Sequence, residues 1–153
     1  MHPESKVQTF LWFQDGLEDA LNFYTATFGD VRVNELNRMP DGTLFTADFH
    51  IFGREFIGMC MKIDDGPQFN DSVSIMIQCE DQAEIDRYWN AITAEGEAIA
   101  CGWCRDKWGI TWQIVPRNLR DFLGHSDAAK SEAINAHFRT MQKIVIAELE
   151  ALA

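Results

Sequence analysis

The sequence lacks the features that mark membrane, secreted and nucleic-acid-binding proteins. Its apolar runs are short: a stretch such as Ile144–Ala147 is far below the roughly 20 residues that a membrane span needs. The opening MHPESK also has no apolar segment of the kind found in a signal peptide. Basic residues are few, with 13 Lys and Arg against 24 Asp and Glu, so the net charge is −11. An acidic surface repels phosphate backbones and anionic lipids, and we therefore expect a cytoplasmic protein with no nucleic-acid and no membrane partner.

Two catalytic signatures are missing as well. No G-x-G occurs among the 10 glycines, although a Rossmann-type methyltransferase needs a glycine-rich turn to approach its nucleotide cofactor. There is no G-x-S-x-G elbow, and the histidines have no recognisable triad partners. The sequence therefore supports neither a methyltransferase of that type nor a hydrolase, and we expect no cofactor.

The composition that is present is typical of one globular domain over residues 1–153. Hydrophobic residues make up 46% of the chain and charged residues 24%, which is ordinary for a folded protein. The 11 Phe, 5 Trp and 2 Tyr indicate a large apolar interior or a ligand cavity.

The hydrophobic pattern of residues 6–63 predicts a β-α-β-β-β module. VQTFLWF (7–13) is rich in aromatic and β-branched residues and predicts a buried strand. An amphipathic helix is predicted over Asp15–Phe28, capped by Asp15 and ended by Gly29, because its apolar residues recur every three or four positions. Three further strands are predicted within 31–39, 43–52 and 54–63, with hairpin turns at PDG and FGRE.

The same order recurs in residues 72–116. SVSIMIQC predicts a strand, and EDQAEIDRYWNAITAEG predicts a helix with Glu80 and Asp81 in its first turn and Gly96 at its end. EAIACGW and GITWQIV predict short strands on either side of the RDKWG turn. Residues 117–153 predict helices with an apolar stripe, and the pattern leaves open whether these helices pack on their own subunit or on a partner.

Several segments carry a resemblance to a known family. They are FLWFQDGLEDALNFYTATFGD, GREFIGM, GPQFND, CEDQAEIDRYWN, CGWCRDKWGITWQIVP and the tail MQKIVIAELEAL. Together they resemble the PhnB-like branch of the vicinal oxygen chelate superfamily, which includes glyoxalases, bleomycin resistance proteins and dioxygenases. Members of this branch often carry the name 3-demethylubiquinone-9 3-methyltransferase. The run CGW-x-x-DKWG-x-x-WQIVP is the part most specific to the branch.

The resemblance implies an α+β fold in which two β-α-β-β-β modules form a curved mixed sheet around a cavity, with C-terminal helices added. It also implies a homodimer, since proteins of this kind commonly combine modules across two chains and free sheet edges need cover. A fold does not fix chemistry, and the residues do not support the methyltransferase name. We expect a protein that binds a small organic ligand. The alternative is a metal-dependent enzyme of the glyoxalase or dioxygenase kind, and a third possibility is an oligomeric structural module with a filled interior.

Enzymes of the superfamily usually hold a divalent metal ion with His, Glu or Gln side chains on the first and last strands of the two modules. The matching positions in this chain are Gln8 or Thr9, Ser74, Gln113 and the apolar segment 57–59. Amides and a hydroxyl bind first-row divalent ions weakly, so we expect no transition metal at these positions. Amides suit a neutral polar ligand instead. His50 would compensate only if its strand turned it inward beside Gln8, with Asp48 joining as the carboxylate.

The candidates for ligand binding fall into three groups. One group, on a single predicted strand, is either an acid–base pair in the cavity or a set of polar groups on a water-facing edge. A second, beside a predicted turn, forms either aromatic pocket walls or braces of the sheet. The third adds polar groups on strands whose other face is apolar. The first group is Asp48 and His50, the second is Trp103 and Trp108, and the third is Gln8, Ser74 and Gln113.

The four cysteines are predicted to be reduced thiols without a catalytic role. Cys101 and Cys104 have the spacing of a thioredoxin-type dithiol, but a turn and a strand follow them instead of the helix N-terminus that lowers a thiol pKa. Cys60 and Cys79 lie too far away in sequence to make a convincing zinc motif. We expect a packed thiol pair.

Overall fold

The first part of the chain folds as a β-α-β-β-β module. The computed structural model describes residues 3–153, and the chain divides into two compact units after Gln68. The elements of the first unit, in chain order, are β1 (Thr9–Phe13), α1 (Leu17–Phe28), β2 (Val31–Arg38), β3 (Leu44–Ile51) and β4 (Arg54–Cys60). The predicted element order of this half is confirmed.

A four-stranded mixed sheet is the frame of the first unit. Its strand order is β1-β4-β3-β2, with β1 parallel to β4 and the other neighbours antiparallel. The hairpin between β3 and β4 closes through Phe52 and Gly53, whose φ angles are 47° and 77°. Such a two-residue turn matches the twist of the strands that it joins. The resulting register places Glu55 opposite His50 and Ile57 opposite Asp48.

The two faces of this sheet differ in character because side chains alternate along each strand. One face packs on α1, and there Phe49 stacks on Phe56 with ring centroids 5.4 Å apart. Gly58 belongs to the same face: a Cβ at this position would lie 2.5 Å from Leu17 Cδ1, so glycine permits the close approach of the helix. The neighbouring residues of β3 and β4, including His50, therefore lie on the opposite face.

The second unit repeats the arrangement. Its elements are β5 (Ser74–Cys79), α2 (Gln82–Glu95), β6 (Glu97–Ala98), β7 (Trp103–Arg105) and β8 (Thr111–Pro116). The strand order is β5-β8-β7-β6, again with the first two strands parallel. The α+β class is thus confirmed, as two four-stranded mixed sheets with their helices.

The helix ends differ in part from those predicted. Asp15 is not the N-cap of α1, because Gly16 takes that position at φ 77° and the helix starts without a side-chain cap. A left-handed residue is needed to turn the chain from β1 into the helix, and glycine adopts it without strain. In α2, Asp81 is the N-cap rather than a first-turn residue, and its side chain accepts a hydrogen bond from the Glu84 N–H.

The predicted strand EAIACGW is broken into two. β6 ends at Ala98, and a turn with Cys101 at φ 57° and Gly102 at φ 81° separates it from β7. The N–H groups of Cys101 and Gly102 donate to the carbonyls of Met141 and Gln142, at 2.7 and 2.8 Å. These backbone groups therefore bond to the C-terminal segment instead of to a neighbouring strand.

The C-terminal helices pack on their own unit. They are α3 (Leu119–Leu123), α4 (Ala128–Phe138) and α5 (Ile146–Glu150), and the apolar stripe of the tail is buried in a cluster that contains Val115, Phe122, Ile134, Met141, Ile144 and Leu149. This stripe is therefore not surface for a partner to cover, as the sequence had allowed. None of the helices over residues 3–153 combines the length and hydropathy that a bilayer span requires.

Candidate functional site

A cavity of about 240 Å³ lies on the polar face of the first sheet. The N-terminal segment, β2, β3 and β4 contribute to its walls, and Ile57, on the same face as His50 and Glu55, supplies apolar surface. The polar side chains in the lining are Glu4, Gln8, Asn34, Glu35, Asp48, His50 and Glu55. The volume is that of a small organic molecule rather than of a few waters.

The lining has one sign of charge. Four of its side chains are carboxylic acids, and none of its described residues is a Lys or an Arg. Carboxylates are acceptors only, and the amide of Gln8 both donates and accepts. The cavity therefore favours a guest that carries positive charge or several hydrogen-bond donors.

His50 is the buried imidazole of this cavity. Only 6% of the residue is exposed, and its Nδ1 lies 2.8 Å from Asn34 Nδ2 while its Nε2 lies 3.2 Å from Arg32 Nη2. Asn34 stands at a bulge of β2, where the β2–β3 register shifts between Val33 and Glu35. The extra residue of the bulge lets the following residue, Glu35, pair with Asp48 on the same face.

Glu55 is a functional candidate that the sequence reasoning missed. It is 5% exposed, and its Oε1 accepts hydrogen bonds from the N–H groups of Glu4 and Ser5 at 2.7 and 3.1 Å. The same oxygen lies 3.6 Å from His50 Nε2. Its other oxygen, Oε2, is buried without a hydrogen-bond partner among the described residues. The available signal was the two-residue turn in FGRE, which places Glu55 directly opposite His50.

The structure brings together three of the predicted candidates in the first unit. Asp48 lies two residues before His50 on the same strand and is half-buried at the cavity wall. Gln8 immediately precedes β1, where Thr9 pairs with Phe56, the residue after Glu55. Both line the same cavity as His50.

The remaining candidates lie in the second unit and are not among the residues lining this cavity. Gln113 Nε2 donates to Ser74 Oγ at 2.8 Å, across the parallel pair of β5 and β8. Trp103 pairs with Gln113 in the β7–β8 ladder, and Trp108 is half-buried in the following turn.

The donor set at the superfamily's metal positions does not fit a divalent ion. In the second unit, Ser74 and Gln113 are hydrogen-bonded to each other. In the first unit, Gln8 supplies only an amide and Ile57 has no donor atom. Real sites for first-row metals are built from imidazole and carboxylate groups, so we derive no chemistry through a metal at these four positions.

The most specific motif of the sequence has a structural role. Asp106 is 3% exposed, and its Oδ1 accepts from the N–H groups of Trp108 and Ile110, both at 3.0 Å. Its Oδ2 accepts from Trp112 Nε1 at 2.9 Å, and Trp112 is fully buried. The carboxylate of DKWG thus holds the turn between β7 and β8 and orients the core tryptophan.

The cysteines are poor nucleophiles where they are most buried. Burial raises the pKa of Cys79 and of Cys104 to about 12. The thiolate is the reactive form of cysteine. Cys79 and Cys104 therefore carry too little thiolate to act as nucleophiles near neutral pH.

Several solved structures are similar to this chain. A PhnB protein from Bacillus cereus is 27% identical with a TM-score of 0.68, over 73% of this chain and 99% of that chain. The fosfomycin resistance protein FosX from Listeria monocytogenes, complexed with Mn(II) and sulfate, is 19% identical with a TM-score of 0.55, over 80% and 99% of the two chains. FosX from Mesorhizobium loti is 16% identical with a TM-score of 0.55, over 81% and 100%. The likeness to FosX shows the fold alone.

The sequence itself places the chain more narrowly. No curated protein matches it. The family model described as 3-demethylubiquinone-9 3-methyltransferase matches residues 5–115, which span both modules. Together with the duplicated module and the similar PhnB structure, this match shows that the chain belongs to the PhnB-like 3-demethylubiquinone-9 3-methyltransferase family.

Proposed function

We propose that this protein binds a small polar organic molecule in the cavity of its first unit. The observation that carries the proposal is the lining: an imidazole, two amides and four carboxylates converge on about 240 Å³. Polar groups at such density are unusual for a site whose only role is structural, because each of them must be desolvated or kept wet. A guest with donor groups compensates for that cost.

The proposed roles follow from the contacts. His50 is the orienting group, held by Asn34 at 2.8 Å, and Asp48 and Gln8 offer an acceptor and an amide to the ligand. Ile57 supplies an apolar contact of the wall. Ser74, Trp103, Trp108 and Gln113 remain candidates for a separate ligand site in the second unit.

A screen of thermal stability with small polar molecules tests the proposal. Compounds that raise the melting temperature of the wild type are titrated against Asp48→Asn and Gln8→Ala, and we expect each change to weaken binding about tenfold, the equivalent of about 1.4 kcal/mol for a lost hydrogen bond. Gln113→Ala is the matched control, since it removes a similar amide in the other unit. Equal binding by all four proteins would contradict the proposal, and a loss confined to Gln113→Ala would move the site to the second unit.

The metal-dependent enzyme stays the alternative. The family name also raises a methyltransferase activity, but a chain without any G-x-G lacks the turn on which Rossmann-type enzymes hold their methyl donor. Turnover of the bound ligand would favour either enzyme, and each hit of the screen can be assayed for turnover directly.

We also propose that the protein is a homodimer, and we keep the predicted cytoplasmic location as a proposal. Apolar side chains remain exposed in both units, among them Phe10 in β1 at 56% and Met76 in β5 at 46%. A second copy would cover such surface and the free sheet edges. Light scattering should give twice the chain mass of 17.5 kDa, and Phe10→Ser should shift the distribution toward monomer. A wild-type monomer at micromolar concentration would contradict this.

A further inference from the structure

We propose that Glu4, His50 and Glu55 form a binding site for one divalent first-row metal ion at the acidic end of the cavity. One ligand atom from each residue lies within 4.8 Å of the others. The inference goes beyond the binding of an organic ligand and does not depend on it. It also differs from the sequence-based expectation of no metal, which rested on Gln8, Ser74 and Gln113, considered His50 only together with Asp48, and included neither glutamate.

The separations between the donor atoms suit a metal ion. His50 Nε2 lies 3.6 Å from Glu4 Oε2 and 3.6 Å from Glu55 Oε1. Ligand atoms that bind zinc-sized ions at 2.0–2.2 Å in tetrahedral geometry are about 3.4 Å apart. The two distances from His50 are therefore close to those of a coordination triangle, and the two glutamate oxygens, which lie within 4.8 Å of each other, would complete it by side-chain rotation.

The burial of Glu55 is the observation that calls for a cation. Its carboxylate is almost fully enclosed, and its ion-pair partner among residues 3–153 is His50 rather than a Lys or an Arg. Two backbone N–H groups satisfy Oε1, whereas Oε2 has no partner in the described part of the chain. A buried carboxylate without a compensating charge is costly, and a divalent ion removes that cost.

Asn34 supports His50 in the way that metal-binding imidazoles are usually supported. Its side-chain amide lies 2.8 Å from Nδ1, and the nitrogen and oxygen of such an amide exchange places on rotation. With Oδ1 accepting from Nδ1–H, the hydrogen bond selects the tautomer whose Nε2 lone pair faces the two glutamates. A second hydrogen bond of this kind fixes the tautomer and the ring orientation of a ligating histidine.

Arg32 occupies the place of a competing cation. Its Nη2 lies 2.9 Å from Glu4 Oε1 and 3.2 Å from His50 Nε2. The side chain is 58% exposed, so it can turn into water, and exposed ion pairs contribute little. Metal binding should therefore displace the guanidinium, and removal of Arg32 should strengthen the site.

A titration with Mn²⁺, monitored through the electron paramagnetic resonance signal of the free ion, tests the site. Manganese is chosen because thiols compete for zinc, and the chain has four cysteines. We expect one Mn²⁺ per chain, binding about tenfold or more weaker in Glu4→Gln and in His50→Ala, and tighter binding in Arg32→Gln. Glu35→Gln is the control: it removes a carboxylate of the same cavity outside the cluster and should bind as the wild type does.

Glu4→Gln keeps the test decisive, because Glu4 is 70% exposed at its side chain and its replacement leaves the core intact. Equal Mn²⁺ binding by the wild type, Glu4→Gln and His50→Ala, or no binding at all, overturns the metal site. The organic-ligand screen is run in chelator, so its hits survive or fail independently of this result.

Discussion

Asp106 offers the sharpest test of whether the family motif serves stability or binding. Asp106→Ala removes the acceptor of three hydrogen bonds, two from backbone N–H groups of the turn and one from Trp112 Nε1. Ile110 and Trp112 are 4% and 0% exposed, so water cannot replace the lost acceptor at these two donors. Each buried unsatisfied donor costs about 1–3 kcal/mol, and we expect the free energy of unfolding to fall by about 3–5 kcal/mol.

Asp106→Asn sharpens the same prediction. The amide keeps one oxygen and turns the other acceptor into a donor, so it serves either the turn or the indole but not both. We expect an intermediate loss of about 1–3 kcal/mol. Asp121→Ala, at an exposed acid in α3, is the control and should change stability by less than about 0.5 kcal/mol.

Urea denaturation followed by tryptophan fluorescence measures these losses, because Trp112 itself reports the transition. The reasoning is refuted if Asp106→Ala unfolds at the wild-type midpoint with an unchanged slope. It is also refuted if the variant keeps full stability but loses a ligand of the screen, since the motif would then contact the ligand rather than hold the turn.

Three further predictions concern the rest of the chain. Gly58→Ala should lower the free energy of unfolding by about 1–3 kcal/mol, because its Cβ would lie 2.5 Å from Leu17 Cδ1; an unchanged denaturation midpoint would count against this packing. Iodoacetamide at about pH 8 should modify the half-exposed thiols and spare the buried ones, whose pKa burial raises to about 12; mass spectrometry should find label on Cys60 and Cys101 and none on Cys79 and Cys104. The hydrogen bond from Arg105 lowers the pKa of Asp71 to about 2. Asp71 therefore stabilises the fold above its unfolded pKa of about 3.9 and loses that contribution as the pH falls through about 2. In Asp71→Asn the free energy of unfolding should fall less steeply with decreasing pH across this window, and identical profiles for variant and wild type would exclude the contribution.

Local periodicity and turn residues were enough to predict the order of the helices and strands in both modules, and the family resemblance supplied the fold. The apolar face of α1, the glycines that end both long helices and the hairpin turns were all legible in the sequence, since each depends on residues within a few positions of one another. The repeated β-α-β-β-β order follows from these local signals. The break of EAIACGW at Cys101 did not, because its backbone groups are satisfied by the distant carbonyls of Met141 and Gln142.

The candidate site was only half predictable for the same physical reason. Strand alternation correctly grouped Asp48 with His50 on one face. Glu55 lies in the site because of the register between β3 and β4, and Asn34 stands at a bulge in the pairing of β2 with β3. Both features depend on two strands together and cannot be predicted from the sequence of one. Asp106 was seen as part of a turn, but its role depends on the indole of Trp112, six residues away and buried.

The central claim is that the acidic cavity of the first unit is the functional site. The most direct test is a map of backbone amide chemical shifts, recorded by NMR while a hit from the ligand screen is titrated into the protein. We predict that the largest changes fall on the amides of Asn34, Asp48, His50 and Glu55. Changes confined to residues 72–116, with these four amides unmoved, would contradict the account.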